Sequence, residues 1–301
     1  NQWVAYGTNT GNVNLPVMIS PDLLHWTARG LDPGATSNDA LPQTPAWSDF
    51  YSATFDGRRL TESWAPSVAR VKSQYVLAYA VEVPGRGKCI SLARSASPIG
   101  PFVDTSAGPV VCPAQNVIDP QIFTNGKKRY LLWKTEGNAA TVPKLWIQKM
   151  TKSASALAPK GKKKRLLTAK PGWEAGLIEN PAMIRFKGRF YLFYSANKWA
   201  TSAYATGYAI CKTVTGPCKR KGGPLLGVAG PLAGIGGATP FVARGHLRLL
   251  VHAWTTGQGY TYAKPGAACV SSNTCPQRRI HTVLLKKKKK GGLLVSAFDV
   301  P

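Results

Sequence analysis

Short apolar runs separated by glycine and proline turns fill the chain. The clearest pair lies in Leu177–Tyr194, where Ala182–Ile184 and Phe190–Tyr194 flank a Lys187–Gly188 turn. Two β-forming runs joined through a glycine turn predict a hairpin. Glu179 stands at the start of the first run, where a buried carboxylate is costly without a partner or a purpose. The pattern alone leaves two interpretations open: an ion pair with one of the many cations, or a functional role.

The same pattern recurs along the chain. A residue followed by proline opens an apolar strand, an aromatic-rich strand follows, and a third strand and a turn complete the unit. The repeated prolines are Pro66, Pro120, Pro181 and Pro240, with spacings of 54, 61 and 59 residues. A period of this length with three or four strands per unit is typical of β-propeller blades.

A fifth unit at the start of the chain is incomplete. Trp3–Gly7 matches the aromatic-rich second strand, and Leu15–Ser20 matches the third. In the unit of Pro66 the proline precedes the second strand, which begins at Tyr75, so the equivalent proline would fall before Asn1. We therefore expect an all-β, five-bladed β-propeller over residues 1–301, a single domain whose first blade lacks its innermost strand in this chain.

Bulk composition supports a globular protein with a sizeable core. The chain has 301 residues, of which 44% are hydrophobic and 17% charged. It contains no run of about 18 apolar residues, so we expect no transmembrane helix and no membrane partner. No signal peptide is visible, because the chain opens on Asn1–Trp3, already inside a β-like run.

Six cysteines fall into three pairs that are close in sequence. These are Cys89 with Cys112, Cys211 with Cys218, and Cys269 with Cys275. Six cysteines allow 15 connectivities, so proximity favours this pairing without proving it. Metal binding is the rival interpretation, but there is no C-x-x-C and the four histidines are not spaced as ligands. Three local disulfides in an exported protein are the better prediction.

The net charge is unusually positive. Lysine and arginine number 39 against 13 acids, a formal net charge of +26. Lys160–Arg165 and Lys286–Lys290 carry much of it. Three interpretations stay open: solvated loops, a surface that binds a polyanion, or runs that do not represent the natural sequence. A β-turn is expected just after the second run, at Gly291–Gly292.

Two carboxylates fall where the innermost strands of a propeller would ring one mouth of the channel. The strand starts that carry the X-Pro pairs hold Trp64, Asp119 and Glu179, and the Gly236–Ala238 turn stands at the fourth. Paired carboxylates in a cavity walled by aromatic residues are the minimum set for glycoside hydrolysis.

Aromatic residues could stack on the faces of sugar rings. The candidates are Trp47, Trp64, Trp173 and Trp199, although ordinary core packing explains any one of them equally well. Trp47 lies in the longest connector, residues 27–63, which is rich in proline, glycine and aspartate. A long connector on a rigid scaffold is often functional, and the alternative is a plain excursion between blades.

The ordered motifs resemble glycoside hydrolase family 43, which comprises five-bladed propeller α-L-arabinofuranosidases, arabinanases and β-xylosidases. The resemblance covers essentially the whole chain. The motifs that carry it are WAPSV (64–68), IDPQIF (118–123), IENPAMI (178–184), YLFYSANKW (191–199), GIGGATPF (234–241), LLVHAW (249–254) and RRIH (278–281).

The resemblance implies hydrolysis with inversion by three carboxylates. Glu179 matches the general acid, and Asp119 matches the modulator that orients the acid and favours its protonated form. The general base would be an Asp on the innermost strand of the first blade, and it is not found in this chain. Asp22 and Asp299 match neither its strand nor its Asp-Pro context.

Further site residues follow from the same resemblance. Lys134, Glu136 and Asn138 could line the pocket, and Arg279, or its neighbour Arg278, matches an arginine that reaches the sugar. A surface cation is the alternative for either arginine.

Two departures from the family pattern bear on the site. Asn180 stands where the family usually has a small residue, and the Gly236–Gly237 turn lacks a histidine that many relatives use near a central metal ion. We therefore expect no required cofactor and treat a structural calcium ion as doubtful, with His252 the one candidate ligand.

The function expected from the resemblance is that of a secreted, inverting glycoside hydrolase acting on arabinose- or xylose-containing plant cell-wall polysaccharide or oligosaccharide. We expect a monomer that binds a carbohydrate and no nucleic acid. A glycan-binding propeller without catalysis is the alternative, because the general base is missing from the chain. A polyanion-binding scaffold, resting on the lysine runs alone, is the third.

Overall fold

The computed structural model describes residues 2–10, 12–28, 38–53, 59–255 and 278–299. Nearly all of its regular structure is β-strand, with two short 3-10 turns. None of its described helices is long and apolar enough to cross a membrane. The chain divides into two compact units, residues 1–166 and 167–301. The expected single domain stays a prediction.

The first unit holds two three-stranded sheets, a four-stranded sheet and a short two-stranded sheet. Their orders are β1-β2-β3, β6-β7-β8, β12-β11-β10-β9 and β4-β5. The strands are β1 (Trp3–Tyr6), β2 (Val17–Ser20), β3 (Thr27–Ala28), β4 (Ser52–Ala53), β5 (Arg59–Leu60), β6 (Trp64–Val71), β7 (Gln74–Val83), β8 (Gly87–Ser95), β9 (Val117–Asn125), β10 (Lys128–Thr135), β11 (Lys144–Lys149) and β12 (Lys164–Thr168), the last ending just past the unit boundary.

The second unit holds two four-stranded sheets, β13-β14-β15-β16 and β17-β18-β19-β20. Its elements are η1 (Gly172–Glu174), β13 (Ile178–Phe186), β14 (Arg189–Ala196), β15 (Ala205–Cys211), β16 (Cys218–Arg220), β17 (Leu232–Ala243), β18 (His246–Thr255), β19 (Arg278–Lys287), η2 (Lys289–Gly291) and β20 (Leu293–Phe298). The predicted hairpin is confirmed as β13–β14. The turn expected at Gly291–Gly292 lies slightly earlier, as η2 over Lys289–Gly291, and Gly292 is extended.

Apolar side chains that alternate along the middle strands form the cores. In the first unit, two clusters are built on the middle strands β7 and β10 and their neighbours. In the second unit, Tyr191, Phe193, Leu249 and Val251 from the middle strands β14 and β18 are central to one large cluster. Middle strands carry the most complete apolar runs because both of their faces are covered.

Strand register confirms most of the repeat and corrects part of it. Trp3 pairs with Ser20 as Tyr75 pairs with Ser95, so the first copy of the repeat, β1–β2, is aligned as expected. Among the described strands, β1 is an edge of its sheet, so the expected inner strand is not seen there. The equivalence of Pro240 is wrong: by register Ala238 holds the place of the other prolines.

The register also gives the reason. Gly236 pairs with His252 and Thr239 pairs with Leu250, which puts Pro240 beyond the irregular part of β17. Gly236 and Gly237 give the backbone of this bulge its conformational freedom, so no proline is needed at Ala238. The sequence pattern could not show this offset, because X-Pro pairs look alike whether or not they open the bulge.

Two of the three expected disulfides are confirmed, Cys89–Cys112 and Cys211–Cys218. The predicted Cys269–Cys275 bridge lies outside the described residues. The pair β4–β5, in the connector of residues 27–63, was not predicted.

Candidate active site

The first strand of four sheets carries the same irregularity. In each, two residues on the first strand face one on the second, which is a β-bulge of one extra residue. The bulges begin at the pairs Trp64–Ala80, Ile118–Lys134, Glu179–Ser195 and Gly236–His252, and regular pairing resumes three residues later. The sequence motifs built on X-Pro are therefore one recurring backbone feature.

The residue after each bulge start has a left-handed backbone. The φ angles are 47° at Ala65, 56° at Asp119, 48° at Asn180 and 66° at Gly237. Asp and Asn tolerate this conformation better than most residues, whereas an alanine is strained by it. Strained residues of this kind cluster at functional sites, so the bulges mark candidate positions.

The bulges refine the expected equivalence of the two carboxylates. Glu179 holds the first bulge position, and Asp119 holds the second, where the other sheet has Asn180. The two acids therefore occupy successive positions of the repeat and present their side chains differently. Each is buried, with 9% of Glu179 and 7% of Asp119 exposed.

In the second unit, Glu179 is held by a tyrosine from the β14–β15 loop. Oη of Tyr204 lies 2.6 Å from Oε1 of Glu179 and 2.9 Å from Oδ1 of Asn180. A phenol has one proton, so the hydroxyl can donate to only one of these two oxygens at a time, and its place between them keeps Glu179 and Asn180 together. Tyr204 is itself buried, so the contact fixes the direction of the Glu179 side chain.

His252 packs on the other side of Tyr204. The two rings stack with centroids 5.9 Å apart and planes within 4°. Gly236 and Gly237 make room for this stack, since a Cβ on Gly236 would lie 1.9 Å from the Tyr204 ring. Sequence reasoning named both glycines and His252 but missed Tyr204, which no motif marks.

His252 is kept neutral. Burial, together with the charge of nearby Arg278, lowers the pKa of His252 to about 3. Nη1 of Arg278 lies 3.3 Å from Nε2 of His252, so Nε2 accepts and the proton sits on Nδ1. Among the described residues Nδ1 has no hydrogen-bond partner.

Arg278 lies at the edge of the cluster, next to two indole rings. Its guanidinium carbon lies 4.9 Å from the Trp199 ring centroid and 5.6 Å from that of Trp254. Trp199 is 40% exposed, so a face of the cluster is open to solvent. The arginine that joins this cluster is therefore Arg278. Arg279 is exposed and pairs with Ala253, one register position away, where the pleat directs its side chain to the opposite face.

In the first unit, the candidate residues lie on β9 and β10. Lys134 faces Ile118 at the bulge of Asp119, is 2% exposed, and donates from Nζ to Oε1 of Glu136 at 2.9 Å. Asn138 lies further on and is exposed, and its Oδ1 accepts from the backbone of Ala140 and Thr141 at 2.9 Å. The structure thus keeps Lys134 and Glu136 together, while Asn138 stabilises a turn.

The remaining aromatic candidates of this unit differ in role. Trp64 is half-buried, and the Lys88 ammonium sits 4.1 Å from its ring centroid. Trp47 packs against a core cluster, and its indole N–H donates to the carbonyl of Ser106 at 2.9 Å. Trp47 is thus satisfied by the fold, whereas Trp64 belongs to a charged cluster at the first bulge.

The chain is similar to a known family and to known proteins. The family Glycosyl hydrolases family 43 matches residues 3–266. A β-D-galactofuranosidase of Aspergillus niger is 28% identical over 203 residues, which cover 66% of this chain and 53% of that protein. The chain thus spans about half the length of this curated relative.

Solved structures show the same fold. An endo-1,4-β-xylanase from Bacteroides thetaiotaomicron aligns with a TM-score of 0.75 at 22% identity, covering 100% of this chain and 92% of that one. A Cellvibrio cellulosa α-L-arabinanase in complex with arabinohexaose gives 0.70 at 19%, covering 98% and 91%. The five-bladed β-propeller predicted from the sequence is confirmed.

Proposed function

Because the chain belongs to Glycosyl hydrolases family 43, we propose that it is a secreted, inverting hydrolase of arabinose- or xylose-containing plant cell-wall polysaccharides or oligosaccharides. The observation that carries the proposal is Glu179, a buried carboxylate at the start of a bulged strand, fixed by Tyr204. Trp199 gives the same cluster an exposed aromatic face on which a sugar can stack.

Glu179 is proposed as the general acid. In an inverting reaction, the acid gives its proton to the glycosidic oxygen as the bond to the anomeric carbon breaks. A water attacks that carbon from the opposite face and gives its proton to a general base. Tyr204 acts as a positioning residue, since its hydroxyl donates to Oε1 of Glu179 and fixes the direction of that side chain.

For Asp119 we propose the role that the family resemblance implies, a modulator that orients the acid and favours its protonated form. Its place on a strained backbone supports a functional role. Asp119→Asn is expected to retain the fold and to lower kcat more than KM changes, because it would act on the transition state.

We propose no metal at His252. Its Nε2 faces the Arg278 guanidinium, whose positive charge opposes a cation there. The described residues also contain no group of three His, Cys, Asp or Glu side chains suited to hold an ion. Dialysis against a chelator should leave turnover unchanged, and restoration of lost activity by added calcium would contradict this.

The proposal is tested with Glu179→Gln on two kinds of substrate. An arabino- or xylo-oligosaccharide has a poor leaving group and depends on the acid, so kcat should fall about 10²–10⁴-fold. A nitrophenyl pentoside has a good leaving group and should lose less. Proton NMR of the first-formed sugar should show the inverted anomer.

The control is Asp49→Asn, an exposed carboxylate outside the cluster, which should keep wild-type turnover. An equal loss on both kinds of substrate, or unchanged turnover of the oligosaccharide in Glu179→Gln, would refute the assignment. Binding of the oligosaccharide without turnover by the unsubstituted chain would instead indicate a glycan-binding propeller.

A second candidate substrate comes from the Aspergillus niger relative, which is named as a β-D-galactofuranosidase. A nitrophenyl β-D-galactofuranoside therefore belongs in the same panel. A higher kcat/KM on it than on the arabinofuranoside and xyloside would favour this substrate over a pentose.

A further inference from the structure

A groove at the hairpin end of sheet β13–β16 is lined by cations. Its volume is about 540 Å³, within the range of roughly 300–1,000 Å³ for ligand pockets. Arg189, Lys212, Lys219, Lys221 and Lys290 line it, and no carboxylate does. All five side chains are exposed, so they can reach a ligand without unfolding any element.

The second half of the chain cannot neutralise this groove. After residue 167 the only acids are Glu174, Glu179 and Asp299. Glu174 pairs with Arg220 at 2.6 Å, Glu179 accepts from a tyrosine hydroxyl, and Asp299 contacts His281 at 2.8 Å.

Within the part of the chain that the structure describes, no ion pair involves any of the five groove cations. Their mutual repulsion makes the groove a site for an anion from outside this unit.

The groove is separate from the candidate active site. Glu179 pairs with Ser195 at one end of the β13–β14 hairpin, and Phe186 pairs with Arg189 at the other. At about 3.3 Å per residue, the stretch of β14 from Arg189 to Ser195 is about 20 Å long. A ligand in the groove can therefore bind without occupying the place where Glu179 acts.

The groove has a fixed frame and an aromatic side chain. The Cys211–Cys218 disulfide joins the end of β15 to β16. Lys212 follows directly after β15, and Lys219 lies on β16. Phe190 lies among the cations as a half-buried ring. An aromatic ring beside ammonium and guanidinium groups suits a sugar that carries a carboxylate, since the ring can contact the sugar while the cations pair with the acid.

We propose that this groove binds a polysaccharide bearing uronic acid carboxylates, as a second site that holds the polymer away from the site of cleavage. The choice of a polysaccharide over another polyanion rests on the proposed function, whereas the cationic groove does not depend on it. Binding requires no bond to form or break, so it can be measured apart from hydrolysis.

The test measures binding of the full chain to polygalacturonate by biolayer interferometry, with neutral linear arabinan in parallel. We expect binding to polygalacturonate that weakens at least about tenfold between roughly 20 and 300 mM salt, because exposed ion pairs are screened. The variant Lys212→Gln/Lys219→Gln/Lys221→Gln should weaken binding about tenfold at low salt, since each exposed pair adds only modestly.

The matched control is Lys152→Gln/Lys160→Gln/Lys162→Gln, which removes the same charge from exposed positions of the other unit. It should bind like the unsubstituted chain. An equal loss in this control would show attraction by net charge alone and would overturn the proposal, as would unchanged binding by the groove variant.

Two further outcomes are decisive. Tighter binding of a short DNA duplex through the same three lysines would make the groove a phosphate-binding surface and overturn the proposal. Glu179→Gln should bind polygalacturonate like the unsubstituted chain, so a failure of the proposed hydrolase activity leaves this result in place.

Discussion

Replacing His252 with glutamine should remove a specific acid sensitivity of the fold. Glutamine keeps an acceptor for Arg278 but has no proton to gain. In the folded chain the pKa of His252 is about 3, whereas an unfolded histidine has about 6.5. Between these values the unfolded chain binds a proton that the folded chain does not, so stability falls as the pH drops through 6.5.

The size of the effect follows from these two pKa values. At pH 7 the unfolded imidazole is mostly neutral and the contribution is small. At pH 5 it is almost fully protonated while the folded one is not, so the free energy of unfolding falls by about 2 kcal/mol. Burial of the imidazole is the main physical cause of the low pKa and the charge of Arg278 is the second, because each opposes an added proton.

The assay is urea unfolding followed by tryptophan fluorescence at pH 7 and pH 5. Other groups also titrate, so the quantity compared is the difference in unfolding free energy between the unsubstituted chain and His252→Gln. This difference should shift by about 2 kcal/mol in favour of the variant at pH 5. His246→Gln, at an exposed position on the same strand, is the control. A difference independent of pH would refute the reasoning.

Three further substitutions test the contacts of the second unit. Arg220→Met should cost about 3–5 kcal/mol of stability in urea unfolding, because Glu174 is left buried without its charge partner; a loss under about 1 kcal/mol would contradict this. Tyr204→Phe should lower kcat on an oligosaccharide several-fold with little change in KM, since only the orientation of Glu179 is lost. Gly236→Ala should impair turnover like Tyr204→Phe, because its Cβ displaces the tyrosine ring, and wild-type kcat would show that the ring is free to move.

The repeat was predictable because its signal is local. A proline at the start of a strand and an aromatic run about ten residues later each indicate the conformation of the residues next to them. Together they predict the β13–β14 hairpin directly. The same local signal failed at Pro240, where a glycine pair made the bulge instead. The place of Glu179 at the start of a hairpin strand could therefore be predicted, whereas the bulge there and the alignment of the fourth sheet could not.

The supports of the site were not predictable from the sequence. Tyr204 lies 25 residues after Glu179 in a loop, and its contact depends on how β14 and β15 pair. Choosing Arg278 over Arg279 needed the register of β18 with β19, since a shift of one residue changes the face. The groove cations come from separate elements, and only Lys290 belongs to one of the two long lysine runs, so the sequence does not show that they lie together.

The left-handed residues of the bulges have a consequence for engineering. Ala65, Asp119 and Asn180 each hold a backbone that costs an ordinary L-residue roughly 1–2 kcal/mol. Glycine would relieve that cost most at Ala65, because Asp and Asn tolerate the left-handed backbone better than alanine does. At Ala65, a substitution by glycine is therefore available for the design of a thermostable variant. At Asp119 the same change would delete the carboxylate, so the left-handed backbone there cannot be relieved without losing that side chain.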